Sequence, residues 1–354
     1  MISETTAMDR SIKINRNSHE IQRSSALRSI ASPSLALPTR FCFEAELGDV
    51  LRTELAQDIE FAKLSTAFRC YYRMRPFLPR ALRQLIQKLR NKRLVPEHDW
   101  YFSKEIEHAV QQLAGPLASI WPDGAEYALV LTHDIEEQAG FRDLLKLADI
   151  EEKLGFRSSW NIVPYKYKID EGIVKELKAR GNEIGIQGFN HDGQLFLSKS
   201  KFDSRVKMIN LAIERFDAVG FRAPMAHRNL LWMQQLNIEY DSSCFDRDPF
   251  QAMPGGVGGI WPFVYGKFVE LPYTLPQDHT LFVTLGETTD RIWRDKLEFI
   301  RRHHGMALML THPDYLDSPS RRQIYRDFLC RLRDTGNAWH VLPREIARWF
   351  AKEL

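Results

Sequence analysis

The stretch YALVLTHD (127–134) is apolar for five residues and then becomes polar, as expected for a strand buried on both faces that ends at a polar edge. Six later stretches have the same character: RSSWNIVP (157–164), NEIGIQ (182–187), GFRAP (220–224), IEYDSS (238–243), MALMLTH (306–312) and AWHVL (338–342). Amphipathic helical patterns lie between most of them. This alternation predicts an α/β fold with a parallel sheet, either a closed barrel or an open doubly wound sheet.

Several predicted helices end on a glycine placed where a left-handed C-cap would fall: Gly155, Gly181, Gly220, Gly305 and Gly336. Asp170 is a predicted N-cap, and Pro343 suits the first turn of the last helix. The Pro- and Gly-rich stretch 242–287 interrupts the alternation of strands and helices. It is too long for a plain connection, so we expect a structured insertion near the functional site.

Composition restricts the class of protein. The chain has 354 residues, of which 44% are apolar and 27% charged, which is sufficient for a packed globular core. A net charge of +3 does not indicate nucleic-acid binding. Four widely spaced cysteines without a CxxC pair, and the lack of a signal-peptide pattern, predict a cytoplasmic protein with reduced thiols. No apolar run approaches the roughly 18 residues that cross a bilayer.

The chain divides into three predicted segments: a disordered tail (1–40), a helical extension (41–120) and an α/β domain (121–354). Within the extension, residues 69–93 contain nine Lys or Arg and no acid, and Leu82, Leu85, Ile86 and Leu89 recur at helical spacing. One interpretation is a surface that contacts anionic lipid. The favoured interpretation is that the apolar stripe packs on the main domain, which predicts no strong binding to anionic vesicles.

Polar residues follow several of the predicted strands, at the edge where parallel sheets gather their ligands. They are Asp134, Glu136, Gln187, His191, Arg222, Asp241 and His312. Each also has a structural interpretation: the acids can begin a turn, the histidines can belong to a turn or cap a strand, and the arginine can form a structural ion pair. Their coincidence at strand ends favours a functional site.

Five motifs at these positions resemble, in order, those of the polysaccharide deacetylase family, carbohydrate esterase family four. They are LTHDIE (131–136) for the base and a metal-binding acid, QGFNH (187–191) for the histidine pair, RAP (222–224) for the arginine, YDSS with DRDPF (240–250) for the aspartate and aromatic residue, and LTH (310–312) for the final Leu-x-His. The resemblance runs from about residue 95 to 350 and is nearest to a bacterial branch with altered metal-ligand positions. It implies a distorted (β/α) barrel of about seven parallel strands, preceded here by the helical extension.

The resemblance also implies roles for individual residues. Asp134 would be the catalytic base, Arg222 would orient it, and His312 would be the acid that protonates the leaving nitrogen. Asp241 lies at the aspartate motif and completes the implied catalytic set. The implied metal ligands are Glu136, Gln187 and His191.

The metal-ligand positions depart from the family pattern of one aspartate and two histidines. Glu136 is a longer carboxylate, and the neutral amide of Gln187 is a poor ligand for zinc beside an imidazole. The sequence therefore predicts a weakened site for a divalent metal (zinc, nickel or cobalt), with metal-free chemistry as the alternative.

Two functions follow from these observations. The first is a cytoplasmic hydrolase of a linear amide, which deacetylates an N-acylated amino sugar or a related compound. The second is a catalytically silent relative that binds a glycan or a partner protein. Retention of Asp134, Arg222 and His312 favours the first, because a binding module needs no acid and base.

Overall fold

A computed structural model of the protein describes residues 35–36, 45–61, 66–74, 77–79, 82, 85, 89, 101–113, 117–251, 253 and 256–353. Of the predicted disordered tail (1–40), only residues 35–36 are described, and the prediction is wrong for them because they pair as a short strand with residues 264–265; for the rest of the tail it stays a prediction. Among the described residues, no helix combines the length and the apolar character needed to cross a membrane.

The described residues form one mostly parallel sheet. Its strands are β1 (Leu35–Ala36), β2 (Tyr127–Ile135), β3 (Ser159–Ile162), β4 (Glu183–Gln187), β5 (Gly220–Arg222), β6 (Tyr240–Asp241), β7 (Phe263–Tyr265), β8 (Phe268–Glu270), β9 (Met306–Thr311) and β10 (Ala338–His340). Seven of these run parallel in the order β9-β2-β3-β4-β5-β6-β8. Thr274 N and Leu275 N, just beyond β8, donate to Leu308 O in β9 at 3.1 and 3.2 Å. The curled sheet thus confirms the predicted distorted barrel.

Helices surround this sheet and connect its strands. They are α1 (Ala45–Phe61), α2 (Thr66–Met74), α3 (Lys104–Gln111), α4 (Gln138–Glu152), α5 (Glu171–Ala179), α6 (Lys199–Phe216), α7 (Leu230–Met233), α8 (Arg291–Arg302), α9 (Pro319–Thr335) and α10 (Pro343–Lys352). Two predicted helix starts are confirmed: Asp170 accepts a hydrogen bond from Gly172 N at 2.8 Å, and α10 begins at Pro343.

The insertion at 242–287 is structured, as predicted, and it supplies a strand of the barrel. Its β7–β8 hairpin is antiparallel, and β8 pairs in parallel with β6. The stretch AWHVL, which was predicted as the last strand of the barrel, forms β10. Among the described strands β10 pairs only with residues Tyr127–Leu129 of β2, and β3 pairs with the same edge of β2 further along the strand. In the row of seven parallel strands, β8 of the insertion therefore takes the place predicted for AWHVL.

Three of the five predicted glycine caps have positive φ, namely Gly155, Gly181 and Gly336. The prediction is wrong for Gly220 and Gly305, which have no positive φ. Glycine is needed at both positions because a side chain would clash with a neighbour. A Cβ at Gly220 would lie 1.9 Å from Tyr240 Cζ, and one at Gly305 would lie 2.5 Å from Ile260 Cδ1.

Helix α1, in the predicted helical extension, packs on the barrel. Leu47, Leu51 and Leu55 recur every four residues on α1, and all three are buried in the hydrophobic core shared with the barrel. Asp58, also on α1, forms a fully buried ion pair with Arg228. Apolar contact and charge pairing both join this helix to the domain.

The three leucines of the predicted stripe that the structure describes are not buried as predicted. Leu82, Leu85 and Leu89 are 42%, 52% and 54% exposed, so the favoured interpretation of a buried stripe is wrong for these residues. Ile86 lies outside the described residues. Tyr72 of α2, by contrast, is buried and its ring contacts His227.

Candidate active site

Asp134 is fixed by donors from three neighbouring strands. It lies near the end of β2 and is 3% exposed. Its Oδ1 accepts hydrogen bonds from Asn161 Nδ2 at 2.9 Å and Arg222 Nη1 at 3.0 Å, and its Oδ2 accepts one from Gln187 Nε2 at 3.0 Å. The donors reach one carboxylate because β3, β4 and β5 end at the same edge of the sheet. The predicted contact between Arg222 and Asp134 is present.

Arg222 is a buried cation that donates four hydrogen bonds. Its Nε and Nη2 donate to the backbone oxygen and the hydroxyl of Ser242, at 2.8 and 2.7 Å. Its Nη1 donates to Thr132 Oγ1 at 2.9 Å as well as to Asp134. A planar guanidinium held at three nitrogens has one orientation, so it holds Asp134 in place.

Glu136 follows β2 and points into the same site as Asp134, as expected for residues two apart on a strand. Its Oε1 lies 3.0 Å from His191 Nε2 and 4.0 Å from His312 Nε2. Burial raises the pKa of Glu136, but the two histidines outweigh burial and hold its pKa well below the usual range. The site therefore contains a carboxylate between two imidazoles.

His312 is held by an aspartate from the insertion. Asp278 Oδ1 lies 2.7 Å from His312 Nδ1, and Asp278 Oδ2 accepts a hydrogen bond from His312 N at 2.7 Å. Burial lowers the pKa of His312, but Asp278 first, then Glu136 and Asp134, outweigh it and raise the pKa to about 9. The imidazole therefore carries a proton at neutral pH.

Asp241 does not join this group. Successive strand residues face opposite sides, and since Ser242 faces Arg222, Asp241 points away from it. Its carboxylate accepts a hydrogen bond from Ser243 Oγ at 2.7 Å, and Asp241 stands opposite Glu270 in the β6–β8 register. Burial, and then the neighbouring Glu270, raise the pKa of Asp241 well above its ordinary value. Asp241 therefore belongs to a separate carboxyl pair.

The three predicted metal ligands do not fit a zinc-type site. Gln187 donates its Nε2 to Asp134, and its Oε1 has no hydrogen-bond partner among the described residues. That oxygen is neutral and hard, which suits zinc poorly beside an imidazole. The described part of the chain contains no group of three His, Cys, Asp or Glu residues that could hold a metal ion.

Asp192 and His279 do not take the place of the imidazole that Gln187 replaces in the metal-ligand pattern. Asp192 Oδ2 and Oδ1 pair with Arg205 at 2.6 and 2.9 Å, and Oδ1 also accepts from Gln194 N. His279 packs against the ring of Tyr315 with centroids 4.9 Å apart. The donor set thus remains a carboxylate, an amide and one imidazole.

The sequence interpretation missed two residues of the site, Asn161 and Asp278. Asn161 lies in the predicted strand RSSWNIVP, where a polar residue within an apolar run was a usable signal. Asp278 lies in the insertion, and its sequence neighbours do not identify His312 as its partner.

Comparison with solved structures places this fold among known proteins. The chain is similar to a structure described as a polysaccharide deacetylase from Mycobacterium smegmatis, with 20% identity and a TM-score of 0.55, over 68% of this chain and 95% of that one. It is similar to one so described from Pseudomonas aeruginosa, with 16% identity and a TM-score of 0.54, over 68% and 96%. It is also similar to PuuE allantoinase, with 14% identity and a TM-score of 0.50, over 73% and 98%.

These similarities concern the fold. No protein-family model matches the chain, and no curated protein matches it in sequence. The chain has the fold of the polysaccharide deacetylases, so the resemblance predicted from its five motifs is confirmed at that level.

Proposed function

We propose that the protein is an amide hydrolase of the polysaccharide deacetylase type, which removes the acyl group from an N-acylated amino sugar or a related compound. The observation that carries the proposal is that Asp134, held by Arg222, and His312, held by Asp278, both lie at the carboxyl ends of strands around Glu136. Amide hydrolysis uses a general base and a general acid, and the raised pKa of His312 suits the role of the acid. The deacetylases with this fold support a glycan substrate.

In the proposed mechanism Asp134 is the base. Its Oδ2 accepts one hydrogen bond, from Gln187, which leaves a lone pair for a water molecule. Asp134 removes a proton from this water as the oxygen attacks the carbonyl carbon. Arg222 and Asn161 hold the carboxylate in one position during the transfer.

His312 is the acid. When the carbon–nitrogen bond breaks, His312 donates its Nε2 proton to the leaving nitrogen, which departs as an amine while the acyl group departs as a carboxylate. Asp278 orients the imidazole through Nδ1 and stabilises its positive charge. Because the metal ligands do not fit, no step here uses a metal.

The test is release of acetate from N-acetylglucosamine oligomers by the purified protein. We expect Asp134→Asn and His312→Ala each to reduce turnover about a hundredfold or more. Asp317→Asn is a matched control, because this carboxylate is exposed and pairs, among the described residues, with Arg321. Full activity of both site variants on a verified substrate would exclude the mechanism.

The second candidate function is binding of a glycan without hydrolysis. Gln187 favours it, because the amide occupies a metal-ligand position and donates to Asp134. Isothermal titration with the same oligomers separates the two functions. Saturable binding without acetate release, at every pH between about 6 and 9, would support the silent relative over the enzyme.

A further inference from the structure

Exposed apolar side chains are concentrated in one short part of the chain. Ten large apolar residues are exposed among those the structure describes, and six of them lie between residues 71 and 89. These six are Tyr71, Met74, Phe77, Leu82, Leu85 and Leu89. Phe77 is the most exposed, at 78%. Large apolar patches on a protein surface indicate an interaction site.

The same part of the chain is strongly basic. Residues 69–93 contain nine Lys or Arg and no Asp or Glu. The whole chain has 49 basic and 46 acidic residues, so the remainder carries 40 basic residues against 46 acidic ones. The positive charge of this segment is therefore a local feature that attracts an anionic partner.

Three of the exposed leucines in this part of the chain recur at helical spacing. Leu82, Leu85 and Leu89 have helical backbone and are separated by three and four residues, which places them on one helix face. Leucines on one face among lysines and arginines are typical of helices that lie in the headgroup region of a bilayer. A polyanion such as a nucleic acid would match the charge but would not bury the leucines.

We propose that residues 69–93, here called the basic segment, bind the surface of an anionic lipid bilayer. Apolar side chains enter the acyl boundary, and the lysines and arginines contact lipid phosphates. This inference does not depend on the proposed function.

The position of the segment relates the bilayer to the candidate site. Tyr72 packs against His227 with ring centroids 4.2 Å apart, and a Cβ on Gly193 would lie 2.7 Å from Tyr72 Cδ1. Gly193 belongs to the loop that carries His191. The basic segment therefore contacts the loop that carries His191, so a bound bilayer lies near the candidate site.

The experiment is co-sedimentation of the full chain with phosphatidylcholine vesicles, with and without phosphatidylglycerol at about a third of the lipid. We expect at least tenfold stronger partitioning onto the anionic vesicles at about 0.1 M salt, and its loss at about 0.5 M, where charges are screened. The charge variant Arg73→Glu/Arg83→Glu/Arg90→Glu should also lose binding about tenfold or more.

A matched pair of variants tests the apolar contribution. The triple variant Phe77→Ser/Leu85→Ser/Leu89→Ser should lose binding about tenfold or more. The control Met208→Ser/Leu211→Ser/Leu231→Ser alters side chains that are 40%, 46% and 46% exposed elsewhere, and should stay within about twofold of the unaltered chain. All six residues are exposed, so unchanged melting temperatures are expected and are measured for both variants.

Three results would overturn the proposal: no partitioning onto anionic vesicles at low salt, equal partitioning onto neutral vesicles, or equal losses in the two triple variants. Binding of duplex DNA that depends on the arginines, but is unaffected by Phe77→Ser/Leu85→Ser/Leu89→Ser and occurs without vesicle binding, would also overturn it and would indicate a nucleic-acid surface.

Discussion

Replacing Asp278 by asparagine should lower the pKa of His312. The carboxylate lies 2.7 Å from the imidazole and is the largest of the contributions that raise this pKa from its ordinary value of 6.5 to about 9. Asparagine retains the shape and removes the charge. We expect the pKa of His312 to fall by about one unit or more, because Glu136 and Asp134 still raise it.

The same pairing stabilises the fold in a defined pH range. Because the pKa of His312 is raised on folding, its stabilisation is present below about pH 6.5 and is lost as pH rises through about 9. A shift from 6.5 to about 9 corresponds to about 3 kcal/mol, at 1.36 kcal/mol per unit. Between about pH 6.5 and 9, the free energy of unfolding should therefore fall less in Asp278→Asn than in the unaltered chain.

The assay is nitrogen–proton NMR of the chain with labelled histidine, titrated across this pH range, with His312→Gln to assign the signal. Urea unfolding at both ends of the range gives the stability difference. Asp317→Asn is the control and should leave both quantities unchanged, because the Asp317 carboxylate is exposed and pairs, among the described residues, with Arg321. A pKa for His312 near 6.5 in the unaltered chain, or the same pKa in Asp278→Asn, would refute the reasoning.

Three further predictions concern the site and its support. Gln187→His should bind zinc at least about tenfold more tightly than the unaltered chain, measured by competition with a chromophoric chelator, because it adds a second imidazole. Gly185→Ala should reduce turnover about tenfold or more in the acetate-release assay, because its Cβ would lie 2.0 Å from Asn161 Oδ1 and displace that side chain. Asp58→Asn should cost about 3 kcal/mol in urea unfolding, because it leaves Arg228 buried without its charge partner.

Each of these predictions has a control. His191→Ala, added to Gln187→His, should abolish the gain in zinc affinity; an unchanged gain would place the zinc elsewhere. Gly48→Ala, whose Cβ would make only ordinary contact with Arg52, should leave turnover unchanged, and an equal loss would show that displacement of Asn161 is not the cause. Glu239→Gln, which breaks an exposed ion pair with Arg348, should lower the free energy of unfolding by less than about 1 kcal/mol. If Asp58→Asn lowers it by no more than Glu239→Gln does, the argument from burial is contradicted.

The sequence alone predicted a parallel α/β sheet with polar residues at one edge, and the family resemblance predicted that the sheet closes into a distorted barrel. Strands buried on both faces must be apolar, so β2 and β9 are readable as runs that end at polar residues. Parallel strands end at one edge, so Asp134, Arg222 and His312 could be assigned to one site before any contact was known. The expectation that Arg222 contacts Asp134 followed from the family resemblance and agrees with the distance of 3.0 Å.

The tertiary structure decided the features that depend on residues distant in sequence. Asp278 reaches His312 across 34 positions, and Asp241 turns toward Glu270 because its strand neighbour faces Arg222. Helical periodicity shows that a stripe is apolar, but only the position of neighbouring elements decides whether Leu85 is covered. The physical reason is common to all three: local sequence sets backbone conformation and the spacing of side chains, whereas partners and burial arise from long-range packing.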